Sequence, residues 1–182
     1  PDAPLPLTGT SLLQSPVQIA GVPDQQSLLG HSLTTCDFDG DGRDDLVVAS
    51  PEAAGGRGLV SVFYGAGATG WNAEMSTEDA DISFDGTPGA KVGYGIACDD
   101  FDGDGRTDMA AGKARWFSPQ GDEDYAVAIW HASDEPWQDV HGVDEAATIT
   151  SQLNLPTEGF QKKSSLEMSS GDLDGDGAAE II

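Results

Sequence analysis

Acidic residues and glycine recur at fixed positions in three short segments of the chain, residues 37–45, 100–108 and 172–180. In each nine-residue segment, positions 1, 3, 5 and 9 carry a carboxylate and position 6 is glycine. Glycine permits the positive φ of a sharp reversal, so the carboxylates around it can converge on one point. The carboxylates are Asp37, Asp39, Asp41 and Asp45 in the first segment, Asp100, Asp102, Asp104 and Asp108 in the second, and Asp172, Asp174, Asp176 and Glu180 in the third.

The chemistry that these segments predict is coordination of a hard divalent cation. Carboxylate oxygens in this number, held on a flexible loop, suit Ca²⁺ better than Mg²⁺ or Zn²⁺. Position 7 would add its backbone carbonyl, from Arg43, Arg106 and Ala178 in the respective segments. We therefore expect up to three Ca²⁺ ions, one for each segment.

Two other interpretations of these segments need to be weighed. An EF-hand loop begins with the same spacing, but it needs a bidentate Glu at position 12 and a helix on either side. Position 12 is Val48 in the first segment and Ala111 in the second, and the flanking run 46–49 is of the β type. One segment alone could be a polar hairpin turn, but three copies with the same carboxylate positions favour metal loops between strands.

The spacing of the loops indicates an array of β units. Asp37 and Asp100 lie 63 residues apart, and Asp100 and Asp172 lie 72 residues apart. Each unit reads as four short antiparallel strands with the metal loop between the first two, which is typical of a propeller blade. We predict strands at residues 32–36, 46–50, 59–64 and 81–84 in the first unit, and at 94–98, 108–112, 125–131 and 146–151 in the second.

These residues resemble the FG-GAP repeats of integrin α-subunit β-propellers and of many bacterial surface and secreted proteins. The unit of that family begins with Phe-Gly, carries the acidic loop and ends the following strand with Gly-Ala-Pro. Here the first element is Leu29-Gly30 and then Val92-Gly93, with Ser164-Ser165 in the third unit. The last element is Ala49-Ser50-Pro51 and then residues 112–114. The resemblance implies calcium in the loop between the first two strands of a blade, and a role in adhesion or ligand binding.

The resemblance also implies an all-β fold, a partial β-propeller of four-stranded antiparallel blades over about residues 15–182. Its repeats would cover about residues 28–90, 91–160 and 161–182. Residues 15–20 would be the outer strand of an earlier blade, and residues 1–14 read as a Pro-rich linker or propeptide remnant. Because propellers close with roughly four to eight blades, we expect a fragment that pairs with the remaining blades of a parent chain.

The charge of the chain restricts its partners. Its formal net charge is −24, with 32 acidic against 8 basic residues, which argues against DNA, RNA or an anionic membrane surface. No apolar run of about 18 residues occurs, so we expect no membrane insertion. Calcium loops indicate an extracellular or cell-surface location, where calcium is abundant. Neither Asn72 nor Asn154 lies in a glycosylation pattern, and we therefore favour a bacterial source.

The two cysteines, Cys36 and Cys98, occupy nearly equivalent positions in the first strands of their units. When the units are aligned on their loops, Cys98 matches Thr35, so the two thiols lie on opposite faces of equivalent strands. Because the front of one blade packs on the back of the next, the thiols either meet or point fully apart. A disulfide between them is therefore one alternative, and two separate buried thiols are the alternative that we favour.

No pattern in the sequence indicates catalysis. The motifs HExxH and GxSxG, the P-loop and zinc-type Cys/His spacings are all absent, and we predict that the chain is not an enzyme. The candidate ligand surface is instead the longer loop after the second strand of each unit. It contains Arg57 in the first unit and Arg115 and Trp116 in the second, and Arg and Trp are enriched at binding hot spots. Packing of Trp116 between blades is the alternative.

Two functions follow from this reading. The first is a calcium-stabilised extracellular β-propeller module that binds a protein or carbohydrate ligand in adhesion or recognition. The second is an accessory or scaffold domain of a secreted hydrolase whose catalytic part lies outside this segment.

Overall fold

The computed structural model describes residues 17–21, 27–65, 71–117, 123–137, 140–149 and 167–182 of the 182-residue chain. Within these ranges the regular structure is nearly all strand, and the helical elements are the short turn α1 (Ala53–Gly56), in which Ala54 and Gly55 have positive φ, and the 3-10 turns at Thr77–Asp79 and Val143–Glu145. The prediction of an all-β fold is therefore confirmed. No helix within these ranges is long or apolar enough to cross a membrane.

The first unit is an antiparallel sheet built around a buried second strand. Its strands are, in spatial order, β2 (Leu33–Cys36), β3 (Asp45–Ser50), β4 (Leu59–Phe63) and β6 (Ile82–Asp85). Every residue of β3 except Leu46 is buried, as expected for a run of valine and alanine with sheet on both sides. The predicted ranges agree with these strands to within one residue at each end.

The second unit repeats this arrangement. Its strands are, in spatial order, β7 (Val92–Asp99), β8 (Asp108–Phe117), β9 (Glu123–Trp130) and β11 (Ala147–Ile149). All neighbouring pairs are antiparallel, as they are among the first four strands of the first unit. Of the last predicted strand, residues 150 and 151 lie outside the described residues.

One strand of the second unit is longer than the sequence pattern predicts. We placed Arg115 and Trp116 in a loop after residue 112, whereas β8 continues to Phe117 and pairs with β9 up to Glu123. The ladder continues because its register shifts between Lys113 and Trp116, and a bulge of this kind lets a twisted hairpin extend. The loop placement was therefore wrong.

Two short strands that the sequence did not reveal connect consecutive units. β10 (Val140–Gly142) lies between β9 and β11 in the chain, yet it pairs in parallel with β6 of the first unit, which gives that sheet a fifth strand. β5 (Glu74–Ser76) holds the same place in the first unit and pairs in parallel with β1 (Gln18–Ala20). β1 therefore pairs with β5 in the same way as β6, the outer strand of the first unit, pairs with β10. This agrees with the prediction that residues 15–20 are the outer strand of an earlier unit.

The core lies between the two units. β7 contacts β2, β3 and β4 of the first sheet, and the buried cluster includes Val47, Val60 and Phe84 from the first unit and Met109 and Trp130 from the second. A residue with a side chain could not replace Gly93 here without strain. Its φ is +104°, and an added Cβ would lie 2.9 Å from the Cβ of Ala49. The glycine of the Val92-Gly93 element therefore permits the close approach of the units.

A disulfide joins Cys36 of β2 to Cys98 of β7, with 6.4 Å between their Cα atoms. The expectation of two separate thiols was wrong. Opposite faces of equivalent strands meet where one sheet packs on the next, so the difference of one position between the cysteines brings their sulfurs together. The bond links the first strands of the two units.

The described part of the third unit is the beginning of another sheet. β12 (Ser170–Gly171) and β13 (Glu180–Ile181) pair antiparallel, with the third acidic segment between them. All three acidic segments therefore join antiparallel strands, as predicted. The division of the chain at residues 28, 91 and 161 stays a prediction, and residues 1–14 lie outside the described residues.

Candidate metal centres

The carboxylates at positions 1, 3 and 5 come together in every acidic loop. One oxygen from each lies within 4.8 Å of the others in the sets Asp37, Asp39 and Asp41; Asp100, Asp102 and Asp104; and Asp172, Asp174 and Asp176. The position-6 glycines have φ between +85° and +96°, a region that favours glycine. The reversal at these glycines turns their backbone N–H groups back toward the position-1 carboxylates, with N–O distances of 2.7 to 3.1 Å.

A buried oxygen without a partner identifies the point where a cation fits the first loop. Asp37 Oδ2 accepts the Gly42 N–H, whereas Asp37 Oδ1 is buried and has no hydrogen-bond partner among the described residues. An ionised oxygen in that state is unfavourable unless a cation offsets its desolvation. Asp37 belongs to the same cluster as Asp39 and Asp41, and this set of carboxylate donors fits a divalent cation that prefers oxygen.

The surroundings of Asp100, the position-1 residue of the second loop, favour its ionised form. Desolvation works against ionisation of Asp100, but the backbone N–H groups of Gly105, Gly103 and Asp104 outweigh it and lower the pKa. The loop therefore presents its position-1 side chain as an anion.

The position-9 carboxylates hold the loops in place through hydrogen bonds to backbone N–H groups. Asp45 accepts the N–H groups of Phe38 and Gly65, each at 2.7 Å, and Asp108 likewise accepts those of Phe101 and Ala132 at 3.0 and 2.7 Å. Burial raises the pKa of both carboxyls, and it outweighs the backbone N–H donors at Asp45 and the donors and His131 at Asp108, which act in the opposite direction. Each oxygen keeps a second lone pair, so a role as a fourth ligand stays a prediction.

The third loop is held in a similar way, since Glu180 accepts the Leu173 N–H at 2.8 Å. The loops differ at position 7. Arg43 and Arg106 pair with the position-5 carboxylates of their own loops, Asp41 and Asp104, whereas Ala178 offers no charge. Coordination by the position-7 carbonyls stays a prediction.

A histidine that no sequence pattern indicated lies beside the second loop. His131 Nδ1 lies 3.0 Å from Asp108 Oδ2 and 3.4 Å from Asp102 Oδ2. It directly follows β9, and the residue that directly follows the corresponding β4 is Tyr64. Burial, together with the negative charges of Asp39, Asp81 and Asp45, raises the pKa of Tyr64 to about 12. Tyr64 therefore lies beside the carboxylates of the first loop, as His131 lies beside those of the second. An alignment of the ends of β4 and β9 in the sequence would have matched His131 with Tyr64 and so pointed to this position.

A groove of about 390 Å³ lies between the first two loops. Tyr64, Arg106, Thr107 and Trp137 contribute to its lining, together with residues 132–136. The sequence offered no signal for it, because the groove forms only where neighbouring units meet.

The predicted ligand residues lie away from the acidic loops. The segment with Arg57 follows β3 and therefore lies at the opposite end of that strand from the first acidic loop. Arg57 pairs with Asp85 at 2.8 Å, which holds its guanidinium against its own unit. For Arg115 and Trp116 the structure describes the backbone only, within β8.

Comparison with known proteins agrees with this geometry. Residues 29–63, which contain the first acidic loop and its three strands, match the family model described as FG-GAP repeat. Similar proteins include phosphatidylinositol-glycan-specific phospholipase D of Mus musculus, 38% identical over 78 residues, which is 41% of this chain and 9% of that protein. Integrin alpha-V of Gallus gallus is 37% identical over 87 residues, 47% of this chain and 7% of the integrin. The chain thus spans less than a tenth of these relatives.

Proposed function

We propose that this chain, which contains an FG-GAP repeat at residues 29–63, is a calcium-stabilised β-propeller module that recognises a protein or carbohydrate ligand outside the cell. The observation that carries the proposal is the convergence of three carboxylates in each of three equivalent loops, with Asp37 Oδ1 of the first loop buried and without a hydrogen-bond partner in the described part of the chain. Relatives that share this similarity include an integrin α-subunit and a phospholipase D.

Calcium is the cation that these donors favour. Each cluster offers carboxylate oxygens, and Ca²⁺ accepts six to eight oxygen ligands with variable geometry, whereas Mg²⁺ demands a near-octahedral shell. The proposed ligands are the side chains at positions 1, 3, 5 and 9 and the carbonyl at position 7. A bound ion would offset the cost of burying the Asp45 and Asp108 carboxylates.

The protein contributes a rigid frame to each centre. The loop glycines aim backbone N–H groups at the position-1 carboxylate, and the position-9 carboxylate ties the loop to the strand ends. The cation would therefore fix the β2–β3 and β7–β8 hairpins and leave the ligand surface elsewhere. We place that surface at the opposite ends of the strands, around Arg57, Arg115 and Trp116.

The propeller architecture is supported by the way in which units follow one another. Each described four-stranded unit adds a short parallel strand to the outer strand before it, and the first unit packs its sheet on β7 of the next. Repetition of the same step around an axis is how propeller blades close.

The extracellular location is supported by the Cys36–Cys98 disulfide, because such bonds persist in oxidising compartments. The named relatives come from animals, so they give no support to the bacterial source that we favoured. The net charge of −24 continues to disfavour nucleic acid and anionic membrane surfaces as partners.

A second function is favoured by the similarity to phosphatidylinositol-glycan-specific phospholipase D. In this alternative, the chain is an accessory or scaffold domain of a secreted hydrolase. Deletion of the module from the parent protein separates the two. Loss of ligand capture without loss of hydrolysis supports the recognition module, whereas hydrolysis that falls when the module is removed supports the accessory domain.

Thermal unfolding tests the role of the cation. A ligand that binds only the folded state raises its stability with concentration. The melting temperature should rise with Ca²⁺ concentration and fall on chelation, and equal concentrations of Mg²⁺ should have a smaller effect. A melting temperature that is the same in Ca²⁺ and in chelator would overturn the proposal.

A further inference from the structure

His131, Asp102 and Asp108 form a cluster in which one nitrogen and two carboxylate oxygens lie within 4.8 Å of one another. His131 Nδ1 is 3.0 Å from Asp108 Oδ2 and 3.4 Å from Asp102 Oδ2. In a shell with metal–ligand bonds of about 2.1 Å, neighbouring ligand atoms lie roughly 3.0 Å apart at octahedral angles and roughly 3.4 Å apart at tetrahedral angles. His131 Nδ1 and Asp108 Oδ2 form a hydrogen bond at this distance, and the same spacing would let both atoms, with Asp102, share one metal ion.

We propose that the second loop is a mixed nitrogen–oxygen metal site that takes Zn²⁺, or another divalent transition metal that prefers imidazole, through His131, Asp102 and Asp108. Imidazole suits Zn²⁺, whereas Ca²⁺ prefers oxygen. The first loop and the described part of the third offer carboxylates without a histidine within reach. This inference goes beyond the calcium function, because it gives one of the three loops the ability to bind a second class of metal.

The rest of the fold holds these ligands in place. The Asp108 side chain is 0% exposed, and the N–H groups of Phe101 and Ala132 fix its orientation. His131 follows the buried Trp130 at the end of β9. Hydrogen bonds of this kind, made by the ligand side chains to groups behind them, orient metal ligands and increase affinity.

The cluster is also open to solvent on one side. The side chains of His131 and Asp102 are 37% and 40% exposed, so a metal ion can enter and keep water in its remaining positions. Because Asp102 and Asp108 also belong to the second acidic loop, Zn²⁺ should compete with Ca²⁺ there.

The chain itself provides a matched variant. Tyr64 holds the equivalent position in the first unit, beside Asp39 and Asp45, so the fold accommodates tyrosine there. His131→Tyr should retain the fold while removing the nitrogen ligand, and His131→Gln should retain a hydrogen-bond donor toward Asp108. His141→Gln is the control, because His141 Nδ1 contacts a carboxylate outside the cluster, Glu145 Oε2, at 3.0 Å.

The test is a Zn²⁺ titration of the full chain in Ca²⁺-containing buffer, with bound Zn²⁺ measured by competition against a zinc-binding dye. The parent and His141→Gln should bind Zn²⁺ alike, and both His131 variants should bind it at least about tenfold more weakly. In ¹⁵N spectra of the imidazoles, Zn²⁺ should shift His131 Nδ1 and leave His31 and His141 unchanged.

Zn²⁺ affinity that is equal in the parent and in His131→Gln would overturn the inference, as would shifts confined to His31 or His141. The outcome is independent of the calcium proposal. Zn²⁺ binding through His131 would stand even if Ca²⁺ had no effect on melting, and its absence would leave calcium stabilisation untouched.

Discussion

The hydroxyl of Thr107 donates a 2.7 Å hydrogen bond to the backbone carbonyl of Asp37 and so joins the second acidic loop to the first. Thr107 is position 8 of its loop and Asp37 is position 1 of the preceding one. Ala179, at position 8 of the third loop, makes the same connection with its backbone N–H, at 2.7 Å from the carbonyl of Asp100. The acidic loops are therefore linked in series, and each one helps to position the ligands of its predecessor.

Replacement of Thr107 by valine should weaken this link. The variant keeps the shape of the side chain but loses the donor, and we expect the free energy of unfolding to fall by about 1 kcal/mol. Calcium affinity should also fall at the first loop, whose position-1 residue loses its support. Chemical denaturation and calorimetry measure the two effects. Thr35→Val, at an exposed position of β2, is the control. Equal effects of the two substitutions would contradict the link.

Removal of the disulfide should be the most damaging change outside the loops. Cys36 and Cys98 are 62 residues apart in the chain, and closure of a loop of that length contributes about 4 kcal/mol. Cys36→Ala combined with Cys98→Ala should therefore lower the free energy of unfolding by that amount in denaturant titrations. A reductant should produce the same loss in the parent and none in the double variant. A parent that is insensitive to reductant would show that the bond does not form.

The sequence predicted those parts of the fold that depend on local pattern. Apolar β-type runs located β3 and β4, and the spacing of Asp37, Asp39 and Asp41 located the first centre. The loops could be predicted because each reversal is made by a glycine within the acidic segment itself, so the conformation of the loop depends on neighbouring residues only.

Features that depend on contacts between units were missed. β5 and β10 are three residues long and are stabilised by pairing with a strand of the preceding unit, so they leave no periodic pattern. The Cys36–Cys98 pairing required knowledge of which sheet faces meet. His131 approaches Asp108 only after β9 has paired with β8.

Glu52 connects the two units at the end of β3 that lies away from the acidic loop. Its Oε1 accepts hydrogen bonds from Lys91 Nζ at 2.5 Å and from Tyr94 Oη at 2.9 Å. Burial opposes ionisation, but these two donors outweigh it and lower the pKa of Glu52 below its ordinary value of 4.5. The ionised carboxylate therefore stabilises the fold above that value. The contribution is lost as the pH falls through the lowered pKa.

Glu52→Gln should reduce the free energy of unfolding by about 1 to 2 kcal/mol near neutral pH. The difference from the parent should close as the pH falls below 4.5, because the parent then protonates the same group. Denaturant titrations over a pH series measure it. Glu74→Gln, on the exposed side of β5, is the matched control. A difference that grows at acidic pH would show that the sign is wrong.

Arg115 and Trp116 test the predicted ligand surface. Their replacement by alanine in the parent protein should weaken capture of a protein or glycan ligand and leave the melting temperature in Ca²⁺ unchanged, because the proposed role is contact with ligand. Arrays of glycans and extracellular proteins provide the binding measurement. A Trp116→Ala variant that melts much earlier but binds normally at low temperature would show that the ring packs between units.

The number of calcium ions bound by the chain tests the central claim most directly. Calorimetric titration of chelated protein should give three sites, and Asp41→Ala, Asp104→Ala and Asp176→Ala should each leave two, since each removes one carboxylate from a different cluster. The same stoichiometry in the parent and in all three variants would contradict the account.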